Sequence, residues 1–168
     1  MHRFICIYSE NNCGVKIKGK KMEGKLIDKP YMVLNLEEYF KQNGINKAHC
    51  DFVYIVTENN EFIAYVVELK EINDLSEKVE EDIRKSLQNK FFYSLEVLEN
   101  NIVKSLGLRG ARVKYHAILV IPEKVIDRIN AIIKRDKLLL RKLKKFSQAW
   151  ITKCCGNILD RYIVIKSN

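Results

Sequence analysis

Residues 50–70, CDFVYIVTENNEFIAYVVELK, read as two strands joined by a tight turn. Asn59 and Asn60 suit the two turn positions, because asparagine tolerates the positive φ that a two-residue hairpin turn demands. That turn pairs Asp51 with Glu68 and His49 with Lys70. Side chains alternate between faces, so Asp51, Glu68 and Lys70 share one face with Val53, Ile55, Ala64 and Val66. Phe52, Tyr54, Val56, Ile63, Tyr65, Val67 and Leu69 line the other. A strand apolar on both faces belongs inside a sheet covered by helices. Two carboxylates and an ammonium therefore stand at one end of a central hairpin.

The segments around the hairpin alternate between strand and helix patterns. RFICIY (3–8) and the lysine-rich 13–26 read as strands, and NLEEYFKQNG (35–44) as a short helix. In that helix Asn35 is the N-cap, Glu38 stands three residues on and Gly44 closes the end. Val79, Ile83, Leu87, Phe91, Leu95, Leu98, Ile102 and Leu106 recur at three- and four-residue steps, which predicts a long helix over 75–106. KYHAILVIP (114–122) predicts a buried strand ended by proline. A second long helix is expected over 123–149, with Val125, Ile129, Ile132, Leu139, Leu143 and Phe146 on one face. A closing strand is expected over 158–166. Strands alternating with long helices point to one α/β domain over residues 1–168, a mixed sheet flanked by helices.

Opposed carboxylates repel each other unless a proton or a cation intervenes. A divalent cation removes the penalty, because hard cations take oxygen ligands, and Mg²⁺ needs only one or two carboxylates from the protein. Asp51 and Glu68 are the candidate ligands, with the Leu69 carbonyl as a third oxygen. Lys70 brings a positive charge to the same space, which suits an anionic substrate and an activated water.

Charge is unevenly spread along the chain, whose net charge is +9. Residues 51–100 carry five Lys/Arg against twelve Asp/Glu, and residues 101–168 carry sixteen against four. A basic C-terminal third beside an acidic middle suits a polyanion partner. Lys134, Arg135, Arg141, Lys142, Lys144 and Lys145 would form its phosphate-binding face, with the lysines of 16–25 in support.

The remaining features exclude other chemistries. No phosphate-cradling Walker loop, dinucleotide fingerprint or G-x-S-x-G elbow is present. The five cysteines form no C-x-x-C pair and are expected to be reduced and buried, with only His49 beside Cys50 hinting at a ligand cluster. RGAR (109–112) is expected to be a turn, and His116, Phe146 and Trp150 to be packed. No transmembrane helix and no signal peptide are expected, so the predicted location is cytoplasmic.

Asp51, sixteen intervening residues and then Glu68-Leu69-Lys70 resemble the PD-(D/E)xK nuclease superfamily, which includes restriction endonucleases and Holliday-junction resolvases. The likeness covers about 45–122. It implies a restriction-endonuclease-like fold in which the two acids lie on adjacent strands and bind Mg²⁺ or Mn²⁺, and the lysine positions or activates the attacking water. A helix and another strand follow in the family, as they do here. Some members carry a glutamine or lysine in that helix, and Gln88 stands in a similar place. Glu37 or Glu38 would supply the glutamate that many members carry upstream. Two features depart from the pattern. Cys50 replaces the name-giving proline, and the 35–44 helix leaves little room for the family's first strand, which residues 13–34 would then provide.

The resulting expectation is a metal-dependent nuclease acting on DNA and leaving a 5′-phosphate and a 3′-hydroxyl. The alternative is an inactive protein of the same fold that binds nucleic acid or an acidic partner. A homodimer through the 123–149 helix would favour cutting both strands of a duplex.

Overall fold

The computed structural model describes residues 4–9, 13–18, 20–22, 25–27, 32–58, 61–107 and 112–167. The turn at Asn59 and Asn60 and most of RGAR lie outside these residues, as do the side chains of 16–25. In chain order the elements are β1 (Phe4–Ser9), β2 (Cys13–Lys18), β3 (Lys20–Met22), β4 (Lys25–Ile27), β5 (Met32–Asn35), α1 (Leu36–Gln42), β6 (Phe52–Glu58) and β7 (Glu61–Leu69). There follow α2 (Glu77–Val97), α3 (Val103–Ser105), β8 (Val113–Ile121), α4 (Ile126–Arg135), α5 (Lys137–Leu143), β9 (Gln148–Lys153) and β10 (Ile163–Lys166). A π turn at Leu98–Ile102 joins α2 to α3, and a 3₁₀ turn at Glu123–Val125 leads into α4.

Six strands form one mixed sheet in the order β10-β9-β8-β7-β6-β5. β6 lies antiparallel between β5 and β7, β8 and β9 continue parallel to β7, and β10 closes the far edge antiparallel. The hairpin pairs as its sequence demands, with Phe52 opposite Val67, Tyr54 opposite Tyr65 and Glu58 opposite Glu61. The parallel step from β7 to β8 needs a crossover, and α2 supplies it. α2 begins at Ser76, whose hydroxyl accepts the Val79 N–H, and α1 begins at Asn35, whose side chain accepts the Glu38 N–H. Gly44 closes α1 with φ of 63°, a conformation that costs glycine little.

All the helices cover one face. Leu36 and Phe40 of α1, Ile83, Leu87, Phe91 and Leu95 of α2, Ile129 and Ile133 of α4, and Leu139 and Leu143 of α5 pack against Val53, Ile55, Ala64, Val66, Leu119 and Ile151. The hairpin was expected to be covered by helices on both faces. On the second face Phe52, Tyr54, Tyr65, Val67, Ile118, Val120 and Trp150 instead meet Val15 of β2 and Ile158 from the loop after β9. The Cys155 N–H donates to the Gly14 carbonyl at 2.6 Å and ties this loop to β2. Cys154 in the same loop is disulfide-bonded, against the expectation of reduced cysteines.

The single helix expected over 123–149 is two helices and a strand. The chain turns at Asp136, with φ −88° and ψ 92°, and its carboxylate accepts the Leu139 N–H as the N-cap of α5. Residues 148–153 then extend and pair with β8, which buries Trp150 in a strand with its indole N–H donated to the Ile158 carbonyl at 3.0 Å. The apolar stripe of α4 and α5 is core, so the long helix proposed for dimerisation does not exist. The closing strand begins at Ile163, not at 158. Among the described residues no helix is long and apolar enough to cross a membrane.

Candidate active site

Asp51 and Glu68 come together at the end of the β6–β7 ladder, though not directly opposite each other. Phe52 is the ladder partner of Val67, and the Asp51 N–H also donates to the Val67 carbonyl at 3.0 Å. Two residues therefore face one, in the manner of a bulge, and the Asp51 side chain is re-aimed. Its Oδ2 accepts the Leu69 N–H at 2.6 Å. The Lys70 N–H points to β8 and donates to the Val120 carbonyl. Alternation along a strand sends the Leu69 N–H and C=O the other way, toward β6 and Asp51. The carboxylate thus completes a ladder that the backbone leaves unfinished, and the Leu69 carbonyl faces the same end.

Glu68 is buried, at 1% exposure. Its Oε1 accepts from Lys90 Nζ of α2 at 2.6 Å, and its Oε2 has no hydrogen-bond partner. Burial and the neighbouring charge of Asp51 push the Glu68 carboxyl up to about 7, against the opposing pull of Lys90 and Lys70. Burial, the largest single influence, lowers the Lys90 ammonium, but the charge and hydrogen bond of Glu68 and the charges of Asp51 and Cys50 together outweigh it and the net shift is upward. Lys70 Nζ donates to Ser86 Oγ of α2 at 3.1 Å. Cys50, where the family's proline would stand, is fully buried, and its N–H donates to Ser94 Oγ at 2.7 Å. Burial, then the charge of Glu68, pushes its thiol well up, which favours the neutral thiol over the thiolate. His49 Nδ1 lies 2.9 Å from the Cys50 carbonyl, and its ring rests on Phe40 at 4.8 Å, so the pair is not a ligand cluster.

Other expected site residues fall elsewhere. Gln88 donates to Asp136 Oδ2 at 2.8 Å, beside Arg84 at 3.0 Å. At about 100° per helical residue, Gln88 and Lys90 stand on opposite flanks of α2. Lys90 is therefore the α2 residue brought to Glu68. The sequence signal for it was its position seven residues after Ile83 on the flank of the apolar stripe, where a lysine stem can snorkel. Glu37 and Glu38 are exposed on α1, while the Leu36 N–H donates to the Asp51 carbonyl at 3.1 Å.

Part of the predicted basic face lies on the far flank of α2. Lys134, Arg135, Arg141, Lys144 and Lys145 are exposed and Lys142 is half-buried. Lys142 and Lys145 reach over the Phe92 ring at 5.2 and 5.4 Å, on the Gln88 flank and away from the carboxylates. Lys47, overlooked in the sequence, lies over Tyr93 at 5.1 Å on the flank nearer Lys90. His116 and Trp150 are packed together, their rings 5.7 Å apart.

The donor set can be tested against a divalent ion. Among the described residues no three His, Cys, Asp or Glu side chains are grouped to hold a metal. Two carboxylates are grouped, and one of their oxygens, Glu68 Oε2, is buried without a partner. Paired carboxylates are the donor chemistry a hard cation takes, and here the Glu68 member is enclosed by protein at 1% exposure. The chain matches no family model, no curated protein and no solved structure.

Proposed function

We propose that the chain is a divalent-metal-dependent nuclease acting on DNA, with a restriction-endonuclease-like core. The observation that carries this reading is the buried, half-satisfied Glu68 carboxylate beside Asp51, with Lys70 two residues on. The topology supports it. Three antiparallel strands, a helix and a parallel strand follow one another from β5 to β8, the order that the resemblance implies. β5 supplies the family's first strand, and α1 is inserted after it.

Asp51 and Glu68, with the Leu69 carbonyl, would hold Mg²⁺ or Mn²⁺, which when bound lowers the pKa of a water and neutralises charge on a phosphate. The protein's own groups do the rest. Burial of Glu68 keeps water from competing for its oxygens. The Lys70 ammonium, steadied by Ser86, orients a water or stabilises the charge that grows on the phosphate. Lys70 beside Ser86, and Lys47, which lies over Tyr93 and pairs with Glu96 at 3.2 Å, are the cations that would receive the backbone of the substrate.

A second reading is a non-catalytic nucleic-acid-binding protein of the same fold. It is favoured by the Glu68–Lys90 ion pair and by the Leu69 N–H on Asp51, which give both acids protein partners. Incubation with plasmid, linear, single-stranded and junction DNA, with and without Mn²⁺, separates the two. The nuclease reading expects Mn²⁺-dependent cleavage that Glu68→Ala and Lys70→Ala abolish. DNA binding without cleavage of any substrate supports the second.

A further inference from the structure

Glu68 cannot leave the core, because it sits at the end of β7 with 1% of its surface exposed. Lys90 can leave, because its side chain is 29% exposed and its ammonium rides on a flexible four-carbon stem. The ammonium satisfies Oε1 alone and leaves Oε2 without a partner. A carboxylate offers about four acceptor positions, so one lysine contact is a poor substitute for water. A divalent cation would satisfy it more fully, with twice the charge. An ion on Oε2 and an ammonium on Oε1 would stand within several ångströms of each other. Like charges at such separations repel strongly when little water lies between them.

We propose that Lys90 is an internal counter-ion that a divalent cation must displace from Glu68, so that Lys90 sets the metal affinity of the site. This rests on the metal-site reading above and adds a competitor to it. With little metal present, the ammonium stays on Oε1 and covers a buried charge that would otherwise be costly. When metal arrives, the lysine stem swings toward solvent on the outer flank of α2. The exchange lowers apparent affinity and makes occupancy depend on metal concentration.

Mn²⁺ binding, followed by electron paramagnetic resonance of the free ion, tests this in wild type, Lys90→Met and Glu68→Gln. Lys90→Met is expected to bind Mn²⁺ about tenfold more tightly or better, and Glu68→Gln is expected to lose the site. Equal or weaker binding by Lys90→Met overturns the proposal. Should that variant fail to fold, amine acylation of the wild-type protein decides. Saturating Mn²⁺ should speed acylation of Lys90 several-fold while leaving exposed Lys85 unchanged, and an unchanged Lys90 rate overturns the exchange. Absence of Mn²⁺ binding in both wild type and Lys90→Met overturns the metal site itself, a result distinct from a wild type that binds and a variant that binds no better.

Discussion

Asp51 Oδ2 and the Leu69 N–H, 2.6 Å apart, close the β6–β7 ladder with a side chain where a backbone carbonyl would ordinarily stand. The bulge that lets Asp51 share Val67 with Phe52 makes this possible. One of the two candidate catalytic acids is thereby held by the fold, with its orientation fixed before any ligand arrives.

That bond separates two substitutions. Asp51→Ala leaves the Leu69 N–H, on a buried residue, without its acceptor and is expected to cost about 1–3 kcal/mol in urea unfolding. Asp51→Asn keeps an oxygen at the position and should stay within about 1 kcal/mol of wild type. Under the metal reading, Asp51→Asn still loses Mn²⁺ binding. Equal stability of wild type and Asp51→Ala would show that the bond holds nothing.

Glu68 makes the fold sensitive to pH. Its carboxyl is raised from 4.5 to about 7, first by burial and then by Asp51. Between those values the native protein holds a proton that the unfolded chain has released. Stability from this group therefore falls as pH rises through the window, by about 3 kcal/mol at most. Melting temperatures measured at pH 5 and pH 8 should show the drop in wild type and a smaller one in Glu68→Gln. Parallel pH profiles for the two proteins would remove Glu68 as the cause.

Asp136 joins α2 to α5 and explains where Gln88 went. Burial alone would raise its carboxyl, but the Leu139 N–H, Arg84 and Gln88 together bring it below the ordinary value. Asp136→Ala removes an N-cap and strands two donors from α2, so a loss of about 2–4 kcal/mol is expected in denaturant unfolding. Gln88→Ala removes one of those bonds and is expected to cost about 1 kcal/mol. It should leave any Mn²⁺-dependent cleavage at the wild-type rate, and a large loss of cleavage would return Gln88 to the site.

The hairpin was legible because its signals agreed. Apolar alternation, a two-asparagine turn and β-branched runs all specify one pairing, and the described residues adopt it from Phe52–Val67 to Glu58–Glu61. The end of the ladder was not legible, because a bulge depends on local backbone bonds that no residue pattern announces. Leu139, Leu143 and Phe146 continue the helical period past Asp136, so periodicity alone ran 126–143 and the β9 strand together. Asp136 decides against it because its carboxylate has three donors to satisfy, and two of them come from a helix about fifty residues earlier in the chain. Lys90 was missed for a similar reason. Its role depends on which flank of α2 meets the end of β7, which only the packed sheet determines.

The two sets of cations make different predictions for DNA. Lys142 and Lys145 flank Phe92 on one side of α2, and Lys47 and Lys70 lie toward the carboxylate side. If the backbone of the nucleic acid runs to the carboxylates, Lys47→Ala and Lys70→Ala should each lower affinity. Each should also reduce the slope of log affinity against log salt by about 1, the value for one phosphate contact. Lys142→Ala and Lys145→Ala should then leave the slope unchanged, since that face lies across the helix. Fluorescence anisotropy of labelled DNA over a salt series measures all four. A slope that falls only with the Lys142 and Lys145 variants would put the nucleic acid on the far flank of α2, away from Glu68. Binding would then have no route to the acids, and the nuclease reading would lose its substrate path.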